Sequence, residues 1–540
     1  MKKLLCLILA ALVAVSLAGC RKEKNDTVVA IDTPEPAVTS RPVGDADETQ
    51  APDETLPAEA TQPAETVGPT ETASAETDKP ADTAKPTDTA APTDTPTAAP
   101  ANTPAPTNTA APAPTNTPAP TETETPGPSV TPSITASPNA DPLAGLSAEA
   151  KAAVAKYQVS PLDYPIIDRE KEEPIRPITT PRYTKGADGI WRSSKSTNDN
   201  EAVIMLTGDL MCQTRQQLAG KTSFGYDFRS SFDYVKPIFN KADFVIGNLE
   251  ATLCEKAPYM AEMIAVEDRP HLNSPASFLE SIRYAGFDMV VMSNNHNCDT
   301  GVRGIFDTLD RVDEYKLIHT GTFRNENEAR YSVIDVDGIK IGVMSYATYF
   351  NHKEEHLTKE GQELLLNPYS KEVVARDVNN VKAAGAEYVI VYIHWGIEYT
   401  NDPADYQYEW AQELADAGVD YIIGSHPHAL QPYDVLTAAD GRKVPIIYSM
   451  GNFVSHQDKV VTKDTLILRI VLKRNSSGKV VLGEEGYIPA RVFKTFLDAD
   501  YVVVPVVKPY NDGIRSSYFQ PAYERITKVI GGKLKVLGTL

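Results

Sequence analysis

The segment DYIIGSHPHALQP, residues 420–432, ends an apolar run in two histidines one residue apart, His426 and His428. The chain holds only nine histidines in 540 residues, which makes the pair unusual. In extended backbone the side chains of residues i and i+2 point to one side. Pro427 fixes its own φ and biases His426 toward the extended region. The spacing therefore predicts two imidazoles on one side of a stiff segment, placed to share a cation. A loop that merely contains histidines is the alternative, and the rest of the chain must decide between them.

Side chains able to hold a metal recur after other apolar runs. Asp209 follows VIMLTG, Asn248 and Glu250 follow FVIG, and His394 follows VIVYI. Asn294, Asn295, His296 and Asp299 follow MVVMS. Taken singly, each has an ordinary reading. Asp209 suits a turn or a helix N-cap, Glu250 surface charge, Asn295 a turn, and His394 or His296 a buried, hydrogen-bonded imidazole. The recurrence at five strand ends favours a shared site, because ligand sites of open α/β sheets gather at the carboxyl ends of strands. Carboxylate, carboxamide and imidazole without thiolate suit Mn, Fe, Zn or Co in a reactive site better than a structural zinc. Some six donors exceed one tetrahedral site and suffice for two adjacent metals.

The elements that must position these residues are legible from about Glu201 onward. AVIMLTG, DFVIGN, DMVVMSN, KIGVMSYA, EYVIVYIHW, DYIIGS and VPIIYSMGN read as strands. Between several of them lie helical patterns, PASFLESIRYAG, GVRGIFDTLDRVDEY, KEVVARDVNNVKAAG and DYQYEWAQELADAG. Strand–helix alternation predicts an α/β domain with layered helices, and strands apolar throughout predict sheets covered on both faces. From about residue 464 the pattern becomes a hairpin with a polar turn, so the sheet system is expected to end in antiparallel strands. Residues 142–200 read as a short helix in LSAEAKAAVAKYQV followed by an irregular, Pro-rich wrap.

In order along the chain, TGDLMCQTR, GNLEATL, SNNHNCDTG, IHWGIEY, GSHPHALQP and YSMGNFV resemble the motif series of the CapA family. These are capsule-synthesis proteins of the poly-γ-glutamate type, within the calcineurin-like metallophosphatase superfamily. The resemblance spans about residues 201–490. It implies a metallophosphatase-like sandwich of central β-sheets flanked by helices. It further implies two divalent transition metals, Mn, Fe or Zn. Asp209 and His428 would hold one, Glu250 would bridge, and Asn295, His394 and His426 would complete the second. His296 would be the general acid, with Arg215 and Asn294 as candidate substrate-binding residues. Two departures stand out. Met211 occupies the place of the usual histidine of Asp-x-His, and Glu250 stands where an aspartate is usual. Arg269 and Arg303 also flank the motif loops, and Cys212, Cys254 and Cys298 read best as small buried apolar residues.

The N-terminus has a different texture. Two lysines, a short apolar run and Leu17-Ala18-Gly19-Cys20 have the form of a bacterial lipoprotein signal. The expectation is cleavage before Cys20, a lipid on its sulfur, and retention on the outer face of the membrane. A tract rich in Pro, Thr, Ala and acid follows, roughly Asp26 to Asp141, with almost no large apolar residue. It cannot offset its ordering entropy by burial and predicts a disordered, Pro-stiffened stalk. In polyproline II such a stalk would reach on the order of 300 Å into the cell wall. The domain expectation is thus 1–19 signal peptide, 20–141 stalk, 142–200 N-terminal extension, 201–490 CapA-like domain, and 491–540 a C-terminal extension packed on it.

Charge divides along the same line. Residues 26–141 hold 19 acidic against 3 basic residues, and of the chain's −21 a balance of −9 belongs to residues 142–540. The folded part is mildly acidic with no basic stripe, which speaks against nucleic acid as a partner. The three cysteines beyond Cys20 cannot all pair, so no disulfide framework is expected. Two function classes lead, ahead of a third in which the chain is a wall spacer carrying a degenerate domain. One is a surface-tethered, metal-dependent hydrolase or transferase acting on a cell-envelope phosphoester or an amide-linked polymer such as poly-γ-glutamate. The other is a non-catalytic module that binds an acidic capsule polymer or helps assemble a membrane polymer synthase.

Overall fold

The computed structural model describes residues 141–160, 164–172, 174, 180–193, 200–262, 271–494 and 501–540, together with the backbone of Val29–Ala30. The chain divides into two units, residues 1–35 with 130–540, and residues 36–129. The expected signal peptide, Cys20, nearly all of the stalk, and Arg269 lie outside the described residues.

The strands used below are, in chain order, β1 (Tyr183–Lys185), β2 (Ile190–Ser193), β3 (Glu201–Leu210), β4 (Phe244–Leu249), β5 (Met289–Val291), β6 (Ile318–Thr320), β7 (Ser332–Val336) and β8 (Ile339–Ala347). They continue as β9 (Tyr388–His394), β10 (Tyr421–Ser425), β11 (Leu430–Thr437), β12 (Lys443–Met450), β13 (Asn452–Val454), β14 (Asp464–Arg474), β15 (Val480–Lys494) and β16 (Tyr501–Pro505). The helices are α1 (Ala148–Tyr157), α2 (Thr214–Gly220), α3 (Ser277–Ala285), α4 (Gly301–Glu314), α5 (Lys371–Ala383), α6 (Asp405–Asp416) and α7 (Phe519–Ile530).

Two large sheets result. The first has the order β16-β15-β14-β3-β4-β5-β6, with β13 paired to β3. Its strands β3 to β6 are parallel, and β14, β15 and β16 extend it antiparallel. The second has the order β11-β12-β10-β9-β8-β7-β2-β1, with β8, β9, β10 and β12 parallel.

Strand β9 shows why this sequence makes four layers. Tyr388, Ile390 and Tyr392 join the core between the sheets, with Ile204 and Leu206 of β3 and Ile246 of β4. Val389, Val391 and Ile393 join a core beneath α5 and α6, with Val378 and Leu414. Met205, Val245 and Val290 face the opposite way, under α3 and α4. Both faces of each sheet are therefore apolar, and fully burying each such side chain contributes about 2 kcal/mol. Ala522, Ile526 and Ile530 of α7 close one side of the inter-sheet core.

The expected α/β sandwich and the four predicted helical segments are present. Two details differ from expectation. Residues 183–193, read as part of an irregular wrap, form the β1–β2 hairpin, which joins the second sheet through β2–β7 pairing. The turn residues Gly186 to Gly189, with Gly189 at φ 80°, carried that signal. Strand β15 also runs through residues 490 and 491 and pairs with β16, so the boundary expected at 490 falls inside a strand of the first sheet, while α7 packs on the inter-sheet core.

Candidate metal centre

The parallel strands of both sheets end at one place. Asp209 is on β3, Glu250 follows β4, Asn295 follows β5, His394 ends β9, and His426 and His428 follow β10. All six are buried. Two glycines let the backbones meet here. A Cβ on Gly208 would lie 1.9 Å from the carbonyl oxygen of Gly451, and one on Gly424 would lie 1.8 Å from that of Tyr448. Only glycine fits at either position.

The donors fall into two overlapping sets. In the first, His428 Nδ1 is 3.4 Å from Asp209 Oδ2, and His428 Nε2 is 3.8 Å from Glu250 Oε1. In the second, His394 Nε2 is 3.0 Å from Asn295 Oδ1, 3.2 Å from His426 Nδ1 and 3.7 Å from Glu250 Oε1. Asp209, Glu250 and His394 each offer an atom within 4.8 Å of the others. Ligand atoms about 2.1 Å from one ion stand roughly 3.0 to 3.4 Å apart, which most of these separations approach. Glu250 is common to both sets.

Four polar atoms inside the cluster lack partners of their own. Asp209 Oδ2, both carboxylate oxygens of Glu250 and His428 Nδ1 are buried without a hydrogen bond. Such a group loses its water without compensation, which a cation among the donors would restore. Burial pushes the Glu250 carboxyl well above the usual carboxylate range, and the charges of Asp209 and Glu398 add to the shift. Burial, then the neighbouring imidazoles, holds His394 and His426 well below the ordinary histidine value. Both are therefore neutral, the form that ligates metals. A buried set of oxygen and imidazole donors with unmatched lone pairs fits divalent cations.

Neighbours orient the donors. Ser425 Oγ lies 2.9 Å from His394 Nδ1, which turns Nε2 toward Glu250 and Asn295. Tyr349 Oη lies 2.5 Å from His426 Nε2, which leaves Nδ1 toward His394. Asn248 Nδ2 donates to Asp209 Oδ1 at 2.8 Å, and Asn295 Nδ2 donates to Asn351 Oδ1 at 3.1 Å. His296 Nδ1 stands 2.7 Å from Asp299 Oδ2, which also accepts from the Leu272 amide at 2.6 Å. That pairing fixes the ring and leaves Nε2 free of this contact.

One sequence expectation fails in its detail. Residues 426–428 are not extended. His426 has φ 97° and His428 φ 54°, both in the left-handed region despite the intervening Pro427. The His-Pro-His segment is thus a strained turn between β10 and β11, and it sends its two imidazoles to different donor sets. Asn351, His352 and Tyr399 also take positive φ, at 55°, 58° and 66°. Five of the eight non-glycine residues with positive φ among the described residues therefore lie on loops at or beside this centre, where strain is held by surrounding contacts.

The remaining expected residues occupy other roles. Asn294 donates to Asn248 Oδ1 at 3.2 Å and to the Leu249 carbonyl at 2.8 Å, and it accepts from the His296 amide at 3.1 Å. It braces the loop after β5. Arg215, on α2, pairs with Asp458 at 2.7 Å, both half exposed. Arg303 bonds Asp307 and the carbonyls of Pro142 and Ala144. Met211 is buried against Ala251 and Leu272. The three cysteines are free and buried, with thiols pushed up by burial. Sequence reasoning did not assign Tyr349, Ser425 or Glu398 to the site. Ser425 and Glu398 stand inside the quoted motifs GSHPHALQP and IHWGIEY, whereas Tyr349 carries no such signal.

Comparison with known proteins adds the following. Residues 203–457 match the family model described as Bacterial capsule synthesis protein PGA_cap. The Capsule biosynthesis protein CapA of Bacillus anthracis is 29% identical over 287 residues, 52% of this chain and 66% of that protein. The PGA biosynthesis protein CapA of Bacillus subtilis (strain 168) is 31% identical over 252 residues, 46% of this chain and 63% of that protein. The match thus spans just under two thirds of these curated relatives. Among solved structures, the calcineurin-like phosphoesterase YfkN from Bacillus subtilis aligns over 54% of this chain and 90% of that one, with 15% identity and a TM-score of 0.35.

Proposed function

We propose that this chain, whose residues 203–457 match the bacterial capsule synthesis family model, acts in making a capsule or another cell-envelope polymer, and that the buried centre is a two-cation hydrolase or transferase site. The observation that carries the reading is the place of Glu250 between two buried donor sets, with both its oxygens, Asp209 Oδ2 and His428 Nδ1 lacking a hydrogen-bond donor or acceptor partner. Asp209, His428 and Glu250 would hold one divalent cation, and Glu250, Asn295, His394 and His426 the other. Cations bound there supply Lewis-acid polarisation of a phosphoryl or acyl oxygen.

The chain's own groups do the rest. His296, oriented by Asp299, is placed to hold a proton on Nε2 and deliver it to a departing oxygen or nitrogen. Ser425 and Tyr349 keep the imidazoles turned toward the centre. The substrate class proposed is a phosphoester or an amide-linked acidic polymer of the poly-γ-glutamate kind. A lipid on Cys20 would hold the chain on the outer face of the membrane, near a polymer synthase. Among the described residues no helix is long and apolar enough to cross a membrane.

The test is metal analysis of the purified chain beside a His426→Ala/His428→Ala variant, followed by turnover of phosphoesters and γ-glutamyl oligomers. One to two divalent cations per chain, lost in the variant, are expected. His296→Ala should then slow turnover about 10²- to 10⁴-fold. Absence of bound metal after reconstitution with Mn, Fe and Zn would overturn the proposal and leave a polymer-binding or assembly module.

A further inference from the structure

Glu398 lies on the loop that follows β9, between exposed Ile397 and the half-exposed Tyr399. The loop is tied to the His-Pro-His turn, because the Tyr399 amide donates to the Pro427 carbonyl at 2.7 Å. Lys459 Nζ sits 3.5 Å from the centroid of the Tyr399 ring, which in turn lies 5.9 Å from the His428 ring. These contacts bring the Glu398 carboxylate over the first donor set. Its Oε1 is 3.9 Å from His428 Nε2.

Three carboxylates therefore surround one imidazole: Asp209 Oδ2 lies 3.4 Å from Nδ1, while Glu250 Oε1 and Glu398 Oε1 lie 3.8 Å and 3.9 Å from Nε2, the nitrogen that would meet a cation between them. Among the described residues, the ion-pair partners of these three carboxylates are imidazoles alone. None of the three distances is a hydrogen bond. No arginine or lysine pairs with these acids among the described residues, and Asp209 Oδ2, both Glu250 oxygens and His428 Nδ1 are buried without a hydrogen-bond partner. The neighbouring Met211 is packed against Ala251 and Leu272 and contributes no charge.

We propose that Glu398 is a ligand of the cation position formed by Asp209, Glu250 and His428, giving three carboxylates and one imidazole. This rests on the two-cation reading above and refines it. Oxygen-rich donors of this kind favour manganese or iron(II) over zinc. The second position, with two imidazoles and one carboxamide beside Glu250, is the softer of the two. The chain thus holds two unequal positions, and the loop carrying Glu398 closes the harder one.

The test is titration of the metal-stripped full chain with Mn(II) by calorimetry, with free Mn(II) counted by electron paramagnetic resonance. The wild type is expected to take up two ions. Glu398→Gln should weaken one of them about 10- to 100-fold and leave the other unchanged, and Glu398→Asp should restore part of the loss. The Glu398 side chain is 38% exposed, so the Gln variant should unfold at the wild-type temperature without metal. Two ions bound by Glu398→Gln with wild-type affinities would overturn this assignment while the two-cation reading stands. A wild type that binds no Mn(II) would overturn both.

Discussion

Two buried carboxylates near the same end of the first sheet have opposite surroundings. Asp464, at the start of β14, is held by Arg491 Nη1 at 2.6 Å and by Arg525 Nε at 2.6 Å and Nη2 at 3.0 Å. Glu250, at the end of β4, receives no hydrogen bond from an amide, arginine or lysine; its near neighbours are the carboxylates of Asp209, within hydrogen-bonding reach if one of the pair is protonated, and Glu398. Both side chains are almost wholly removed from water. Asp464 is a member of a satisfied network that joins β14, β15 and α7. Glu250 meets only carboxylates and imidazoles, an arrangement that burial penalises unless a cation shares it. Burial alone does not separate a structural acid from a functional one, but the count of its partners does.

The largest effect expected from this contrast is at Asp464. Asp464→Asn removes the charge that balances the buried Arg491 and should destabilise the chain by about 3 kcal/mol in chemical unfolding. The same isosteric change at Glu250 should act in the other direction. With chelator present, Glu250→Gln replaces a carboxyl whose ionisation burial, Asp209 and Glu398 all oppose, and should stabilise by about 1–2 kcal/mol. With Mn(II) at 100 times the dissociation constant, the wild type should gain about 2.7 kcal/mol per site, and Glu250→Gln should gain little. A Glu250→Gln variant destabilised without metal would erase the distinction between the two acids.

Asp288 lies between the extremes and sharpens the scale. It precedes β5 at the opposite end of the sheet and is fully buried, with Arg182 Nε at 3.2 Å, Arg283 Nη1 at 4.0 Å and the Val245 amide at 3.1 Å. Burial outweighs these looser partners and pushes its carboxyl from 3.8 up to about 6. The folded chain then binds more protons than the unfolded one between pH 3.8 and about 6. Stability from this group is therefore present below that window and is lost as pH rises through it, by at most about 1.4 kcal/mol per pH unit. Asp288→Asn should flatten that part of the stability–pH curve, as read by urea unfolding at pH 4, 5 and 6. An unchanged slope would mean that the two arginines neutralise Asp288 as fully as Asp464 is neutralised.

The sequence made the scaffold more legible than the contacts. Period and composition revealed the strands around Val389–Ile393 and Ile422–Ile423 because both faces of each sheet are apolar. The polar residues after those strands were visible because a metal-capable side chain following an apolar run is chemically conspicuous. The backbone at His426 and His428 was not legible, since proline rules describe local preference while the turn is set by Gly424 packed on Tyr448 and by the Tyr399–Pro427 hydrogen bond. Tyr349 was hidden for a related reason. It comes from the loop after β8, and only the pairing of β8 with β9 and β9 with β10 carries it to His426.

The smallest effect expected is at that tyrosine. Its hydroxyl lies 2.5 Å from His426 Nε2, and its ring stands edge-on to the imidazole at 5.0 Å. If the oxygen accepts the Nε2 proton, it fixes the tautomer that presents Nδ1 to the second donor set. Tyr349→Phe keeps the ring contact and removes that acceptor, so Mn(II) affinity at one site should fall about tenfold. The side chain is 37% exposed, so the metal-free unfolding midpoint should hold, with a change below about 0.5 kcal/mol. Tyr349→Ala separates the two contributions. Equal losses in the Phe and Ala variants assign the effect to the hydroxyl, whereas a loss in Ala alone would make the ring a packing support. In that case His426 would be oriented by the turn itself, and the strain at φ 97° would serve the function here given to Tyr349.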